Sequence, residues 1–432
     1  MSEHALVAEI GGFVDRTVTV QGWVSNFRSS GKIAFLEVRD GSGYIQAVLD
    51  VPALDAASSE ALSQVTLESS VAVEGRVSKH PKRADVYELQ ASALRLIHRA
   101  EEYPIGRKEH GADFLLQHRH LWLRSKTQWA ILRIRNTIIK ATYDFLFGEH
   151  FVKIDTPIIT ASACEGTTTL FELDYYDLGK AYLAQSGQLY LEAAMAAHGR
   201  VFDFGPVFRA EKSKTRKHLS EFWMMDAEMA FCDHACSLDL QERLVMHIIQ
   251  EVLRHNRGDL EITKRDAARL EAIKAPFARI THREVVRLLR EKGSEITEDL
   301  DLGANDETLL AEIFDQPVFI EKWPAHIKAF YMKRDPQDPA YVACADLMAP
   351  EAFGELIGGS QREDDLDLLL SRMREERMPV EEFEWYLDTR RYGSVPHSGF
   401  GFGLERLVYW LAGVEHIRET IAFPRMLYRM RP

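Results

Sequence analysis

Nowhere does the sequence approach the run of about 18 apolar residues that a membrane-spanning helix requires. Its first residues, MSEHALVAEIGGF, lack the basic start and apolar core of a secretory signal. Cysteine is scarce: Cys164, Cys232, Cys236 and Cys344 form no dense framework in 432 residues, which fits a reducing compartment. The expectation is a soluble cytoplasmic protein with no membrane partner. There is no GxxxxGK(S/T) loop, no GxGxxG opening a βαβ unit and no HExxH pair, so the common phosphate-loop, dinucleotide and zinc-protease readings fall away. Cys232-Asp-His234-Ala-Cys236 comes without the second pair of ligands that a zinc site takes. The histidines of 109–124 have no matched carboxylates and read as hinge and interface packing. A formal net charge of −13 argues against indiscriminate binding of polyanions, while leaving room for local basic clusters that hold phosphates at chosen places.

What is present is ordinary globular composition, 46% hydrophobic and 28% charged, with length for roughly two to four domains. Residues 1–100 read as short β-branched strands punctuated by glycine, such as TVTVQGWVSNF, IAFLEVRD and YIQAVLD, the pattern of a small barrel. Residues 101–128 read as a linker and hinge, and residues 129–432 as a second domain that opens with Ile131, Ile134, Ile138 and Ile139 at helical spacing. Within it, 235–320 reads as a mainly helical insertion with no obvious site. Without a regular βα rhythm, the fold class is α+β.

Chemistry concentrates in FRAEKSKTRKHLSEFWMMDAEMAF, residues 208–231. Read as two strands around a polar loop, it places Arg209 and Glu211 on one face, and Phe222, Met224, Asp226 and Glu228 on one face of the second strand. A cation, carboxylates and a flat ring would then share a surface suited to a nucleotide. Lys212, Lys214, Arg216, Lys217 and His218 lie in the loop, where long cationic arms can reach polyphosphate or an RNA end. Taken alone, such a charge run is more often a solvated loop.

A second constellation shifts the balance. HSGFGFGLERL (397–407) sets Gly399, Gly401 and Gly403 at alternate positions of a strand that runs into a helix beginning with Glu405 and Arg406. Alternate glycines bare one strand face, against which a flat ring could lie. Arg406 near the helix start could meet a phosphate, helped by the helix dipole.

These stretches resemble the signatures of the class II aminoacyl-tRNA synthetases. FRAEKSKTRKHLSEFWMMDAE is similar to their motif 2, GFGFGLERL to motif 3, and FGEHFVKIDTPIIT (147–160) to the motif 1 helix and strand that form a homodimer interface. The amino-terminal barrel resembles the anticodon-binding OB-fold of the aspartate, asparagine and lysine subgroup, and QSGQLYLEA, HLSEFWM and FPRMLYRMRP most resemble its bacterial asparagine-specific members. The resemblance implies ATP-dependent attachment of L-asparagine to tRNA(Asn), with ATP and Mg²⁺ required. By the same resemblance Arg209 would hold the α-phosphate, Glu211 would face adenosine or the tRNA end, His218 would lie near the γ-phosphate, and Phe222 would stack under adenine. Arg406 would cover its other side and touch the γ-phosphate, and Glu355 with Asp346 would bind Mg²⁺. Glu165, with Gly166, matches a loop that closes over the substrate, while Ser186 and Gln188 match residues that orient its α-amino group. In the barrel, Phe35 and Gln46, with Arg28 nearby, match the groups that stack on and hydrogen-bond the central anticodon uridine. An aromatic beside an amide suits a splayed base, but spacing alone leaves Phe35 equally available to the barrel core.

The same resemblance separates asparagine from aspartate. Aspartate enzymes carry a Lys where this chain has Leu191, so Arg362 of GGSQR remains as the slot's cation, able to donate to an amide oxygen while a carboxylate accepts from its NH₂. Asp226 departs from the Glu usual in asparagine enzymes and matches the aspartate enzymes instead. Aspartyl-tRNA synthesis and a non-charging RNA- or adenylate-binding relative are the two alternatives.

Overall fold

Alternation of apolar and polar residues produces the strands of residues 1–111 in the computed structural model, which describes residues 2–83, 86–106, 108–161, 169–212 and 215–432. The strands are β1 (Thr17–Ser30), β2 (Ile33–Arg39), β3 (Tyr44–Asp50), β4 (Ser70–Lys79) and β5 (Tyr87–His98). They run in the order β1-β2-β3-β5-β4, and β4 pairs back onto β1 to close a five-stranded barrel. Val18, Val20, Leu36, Val38 and Val73 are fully buried inside it, so the inward positions are the β-branched and leucine half of each alternating run. This is the OB-fold barrel that the resemblance implies.

Residues 112–432 form a separate unit. Its sheet contains β6 (Val152–Lys153), β7 (Arg200–Phe208), β8 (Glu221–Ala230), β9 (Ala278–Thr281), β10 (Val318–Pro324), β11 (Tyr341–Ala349), β12 (Gly354–Gln361) and β13 (His397–Gly403). The order is β9-β10-β11-β12-β13-β8-β7-β6, with parallel pairs only at the two outer edges among the described residues. One face is covered by the helices α1 (Lys126–Gly148), α2 (His234–His255) and α3 (Leu404–Ala412). Ile131, Ile134 and Ile138 of α1 share a core with Met225 and Ala227 of β8 and Phe400 and Phe402 of β13. Period-2 geometry then sends Asp226, Glu228 and the alternate glycines to the opposite face.

Three expectations change here. Residues 112–128 are not linker: Ala112–Gln117 and Arg119–Trp122 are helical, and Arg119, 1% exposed, donates to the carbonyls of Ala422 and Ile421 at 2.8 Å and to Gln128 Oε1 at 2.6 Å. Nor is 235–320 set apart, because α2 packs into the main core through Leu244, Val245 and Ile248 and β9 extends the main sheet. Cys232 and Cys236 are joined as a disulfide at the start of α2, not left as thiols; Cys344 is free and buried. Among the described residues no helix is long and apolar enough to cross a membrane.

Candidate functional site

The open face of the sheet carries a cleft of about 1240 Å³ whose walls include Arg209, Glu211, Lys217, His218, Phe222, Asp346, Glu355 and Arg406, together with Ser186, Gln188, Asp226 and Arg362. Pairing of β8 with β13 builds its floor. Asp226 lies opposite Gly401 and Glu228 opposite Gly399. A methyl group at Gly401 would overlap Asp226 Oδ1, and one at Gly399 would overlap the Glu228 carboxylate and the Arg362 guanidinium. At Gly403 a methyl would stand 3.5 Å from the Phe222 ring. The bare glycine face therefore serves a flat ring only at its last position; the other two glycines give their volume to acids leaning over from β8.

At one end, β7 stops at Phe208, so Arg209 follows the strand instead of lying within it. Its backbone N donates to Ser220 O at 2.9 Å, its guanidinium carbon sits 5.6 Å from the Phe222 ring centre, and Nη1 donates to the Gln185 carbonyl. Arg406, in the first turn of α3, donates from Nη1 to Glu355 O at 2.9 Å. Burial, and then the charge of Arg406, lower the pKa of His218. Lys217 of the basic loop pairs with Glu307 at 2.6 Å.

Two carboxylates converge between these ends. Asp346 of β11 faces Gly358 of β12, and a methyl at Gly358 would lie 3.2 Å from Glu355 Oε1 and 3.6 Å from Asp346 Oδ1. Burial raises Asp346 to about 6, against the pull of Lys328, with the Glu355 charge adding to the rise. Lys328 donates to Asp346 Oδ2 at 2.6 Å. No group of three or more His, Cys, Asp or Glu side chains is poised for a metal among the described residues. The pair fits Mg²⁺, which is commonly held by one or two carboxylates with water and phosphate completing its shell, and a cation there would relieve the repulsion that Asp346 feels.

Beyond them is a deeper slot. Asp226 Oδ2 accepts from Ser186 Oγ at 2.8 Å and from the Gly187 backbone N at 3.1 Å, and burial pushes its pKa up to about 6. Ser186 Oγ also accepts from Gln188 N at 3.0 Å, fixing the start of the helix Gln188–His198. Arg362 donates from Nε to Glu228 Oε1 at 3.1 Å and from Nη1 to Ser360 Oγ at 2.7 Å. Burial raises Glu228 to about 7 even against the lowering influence of Arg362, and the nearby Glu192 charge pushes the same way.

Leu191 requires a correction. It is fully buried with Met195 and Val201, against Ile154 and Ala230, and does not wall the cleft, because its face of the helix packs onto the sheet. Behind the slot lie groups that the sequence reading missed, Glu192, Tyr386 and Arg390, the last pairing with Glu192 at 2.6 Å; no motif marks Arg390, which lies in the last turn of the helix Glu384–Arg391. Lys328 was likewise unmarked. Glu165 and Gly166 lie outside the described residues, as does Lys214 of the basic loop.

On the barrel, β1 and β2 set Arg28 opposite Phe35. The guanidinium carbon of Arg28 is 4.5 Å from the Phe35 ring centre, Nη2 donates to Gln46 Oε1 at 3.1 Å, and Gln46 Nε2 donates to Glu88 at 2.8 Å. Ala34 and Leu36 turn inward, so Phe35 points outward and is not part of the barrel core.

Residues 111–427 match the family "tRNA synthetases class II (D, K and N)", and residues 18–97 match "OB-fold nucleic acid binding domain". The chain is 54% identical to the asparagine–tRNA ligase of Desulforamulus reducens over 433 residues, covering 100% of both chains. It is 52% identical to that of Pelotomaculum thermopropionicum, again with 100% of both covered. Among solved structures, it resembles the asparaginyl-tRNA synthetase of Pyrococcus horikoshii complexed with asparaginyl-adenylate, with a TM-score of 0.95, 41% identity and 100% of each chain covered.

Proposed function

This chain belongs to the class II tRNA synthetases (D, K and N), and on that footing we propose that it joins L-asparagine to tRNA(Asn) through an asparaginyl-adenylate made from ATP. The observation that carries the reading is one cleft in which Arg209 over Phe222, the Asp346–Glu355 pair and Arg406 adjoin a slot walled by Asp226 and Arg362. A carboxylate oxygen of asparagine attacks the α-phosphorus, and pyrophosphate leaves. The terminal ribose hydroxyl of tRNA then attacks the activated carbonyl carbon, and AMP leaves. No side chain has to become covalently bound. Arg209 neutralises charge that builds at the α-phosphate, Phe222 supports adenine, and Glu211 faces the adenosine or the tRNA end. Arg406 and His218 meet the γ-phosphate end, so positioning and electrostatics supply the rate. Asp346 and Glu355 would hold Mg²⁺, which shields phosphate charge when bound.

In the slot, Arg362 donates to the amide oxygen of asparagine and Asp226 accepts from its NH₂, with Ser186 and Gln188 placing the α-amino group. A site matched to an amide rejects ligands that leave its buried polar groups unpaired. Phe35, Gln46 and Arg28 take the central anticodon base by stacking and hydrogen bonding. The exposed apolar side chains Phe147, Val152, Ile158 and Ile159 cluster in the motif 1 region, and there a second copy of the chain docks to form a homodimer. One observation favours a second reading: Asp226 is the aspartate-type residue, which points to activation of aspartate.

Pyrophosphate exchange driven by asparagine or by aspartate separates the two readings. Arg209→Ala is expected to lower asparagine-dependent exchange by about 10²–10³-fold while the fold persists. Near-normal exchange would remove the phosphate assignment.

A further inference from the structure

Behind the slot lies a buried charge pair that the reaction above does not use. Glu192, fully buried, accepts from Arg390 Nη2 at 2.6 Å and from Tyr386 OH at 2.8 Å through Oε2. His397 Nε2 lies 3.2 Å from the same oxygen. Its other oxygen accepts from Gln188 Nε2 at 3.1 Å. Arg390 has no exposed side-chain surface and also donates to Glu363 O at 2.9 Å, the residue after Arg362. Glu192 therefore stands directly behind Gln188, which walls the cleft, and Arg390 holds the backbone next to Arg362, which also walls it.

We infer that Glu192 is a specificity-determining positioning residue: it cancels the buried guanidinium of Arg390, so that the slot shows a ligand no second cation, and it anchors Gln188. The inference rests on the reading of the slot as an asparagine site. Leu191 cannot serve this purpose itself, since it faces the core; what matters is the balance of charge around the slot. Asp226, Glu228 and Glu192 supply three carboxylates against the guanidiniums of Arg362 and Arg390. A neutral amide enters this set without disturbing it, whereas an aspartate carboxylate brings a further negative charge to a set in which Asp226 and Glu228 already resist ionisation. Removing the Glu192 charge leaves Arg390 buried without a counter-ion, and such a site gains by drawing in an anionic ligand. Against its complete burial, the guanidinium of Arg390, then the His397 ring and finally Arg362 hold Glu192 far below the ordinary glutamate range.

The test is Glu192→Gln in the full chain, which keeps shape and an acceptor oxygen for Arg390 but removes the charge. Pyrophosphate exchange is measured with asparagine and with aspartate, and kcat/KM is compared as a ratio. The aspartate-to-asparagine ratio is expected to rise about tenfold or more. A folded variant in which both activities fall together, with the ratio unchanged, would mean that Glu192 only holds the fold. Glu192→Asp, retaining charge with a shorter arm, is expected to keep the wild-type ratio and to raise KM for asparagine through loss of the Gln188 anchor. In Glu192→Gln with Arg390→Gln no unpaired cation remains, so the ratio is expected to return to within about twofold of wild type. A rise in that double variant overturns the charge argument even if the single variant does not fold. Wild-type protein lacking asparagine-dependent exchange would instead refute the proposed function, which keeps the two failures apart.

Discussion

Asp226 combines hydrogen bonding, burial and a raised pKa in one carboxylate. It accepts from Ser186 and Gly187, faces a cleft, and titrates near 6 because burial disfavours its charge. Its ordinary value is 3.8, so the folded state holds the proton more tightly than the unfolded chain, and stability falls as pH rises from about 4 to about 6. The shift corresponds to an upper bound of about 3 kcal/mol at neutral pH. Asp226→Asn is therefore expected to raise the melting temperature at pH 7 by a few degrees, by calorimetry, and to lose that advantage at pH 4. Function runs the other way: if the ionised group accepts from the amide of the substrate, KM for asparagine rises below about pH 6 by up to tenfold per pH unit, and Asp226→Asn abolishes the dependence. A flat KM profile in the wild type would exclude the carboxylate from the slot. The residue thus costs the fold something that the site recovers, as buried functional groups tend to do.

Among the elements, the hairpin of β7 and β8 was legible because two alternating runs flank a polar loop, as they also do in the hairpin of β2 and β3. The glycines of β13 were legible as a bare face but not as a receptacle for acids, since periodicity fixes a face and says nothing of what a neighbouring strand leans into it. Leu191 was visible as the absence of a lysine, yet helix rotation, which depends on the sheet beneath, decided where it points. Arg390 was invisible, because its partner Glu192 lies 198 residues away and no motif joins them. The helix Arg119–Trp122 was hidden in a stretch rich in histidine and short of helical pattern. Its Arg119 donates to the carbonyls of Ala422 and Ile421 and to Gln128, so Arg119→Ala is expected to destabilise residues 112–432 by about 3–5 kcal/mol in urea titration, as several buried acceptors lose their donor. A loss below about 1 kcal/mol would show that water replaces it. In the barrel, Phe35→Ala is expected to raise KM for tRNA by about tenfold or more, one lost stacking contact, while pyrophosphate exchange stays within about twofold of wild type. Equal losses in both assays would move Phe35 from base recognition to barrel stability.

For the whole molecule, an excess of 13 negative charges repels polyanions except where cations are gathered, so tRNA association should weaken steeply with salt while adenylate formation changes little. The proposed homodimer rests on the apolar motif 1 region, where β6 forms one edge of the sheet. Val152→Asp places a charge on that edge, and sedimentation should find monomers with little asparagine-dependent exchange; a dimer of normal activity would locate the contact elsewhere. The glycines of β13 carry a last consequence. On the proposed reading, selectivity depends on the missing side chains of Gly399 and Gly401, which leave room for Glu228 and Asp226, whereas the grip on phosphate is assigned to Arg209 and Arg406. A drifting duplicate of this chain could forget which amino acid it prefers long before it forgets how to spend ATP.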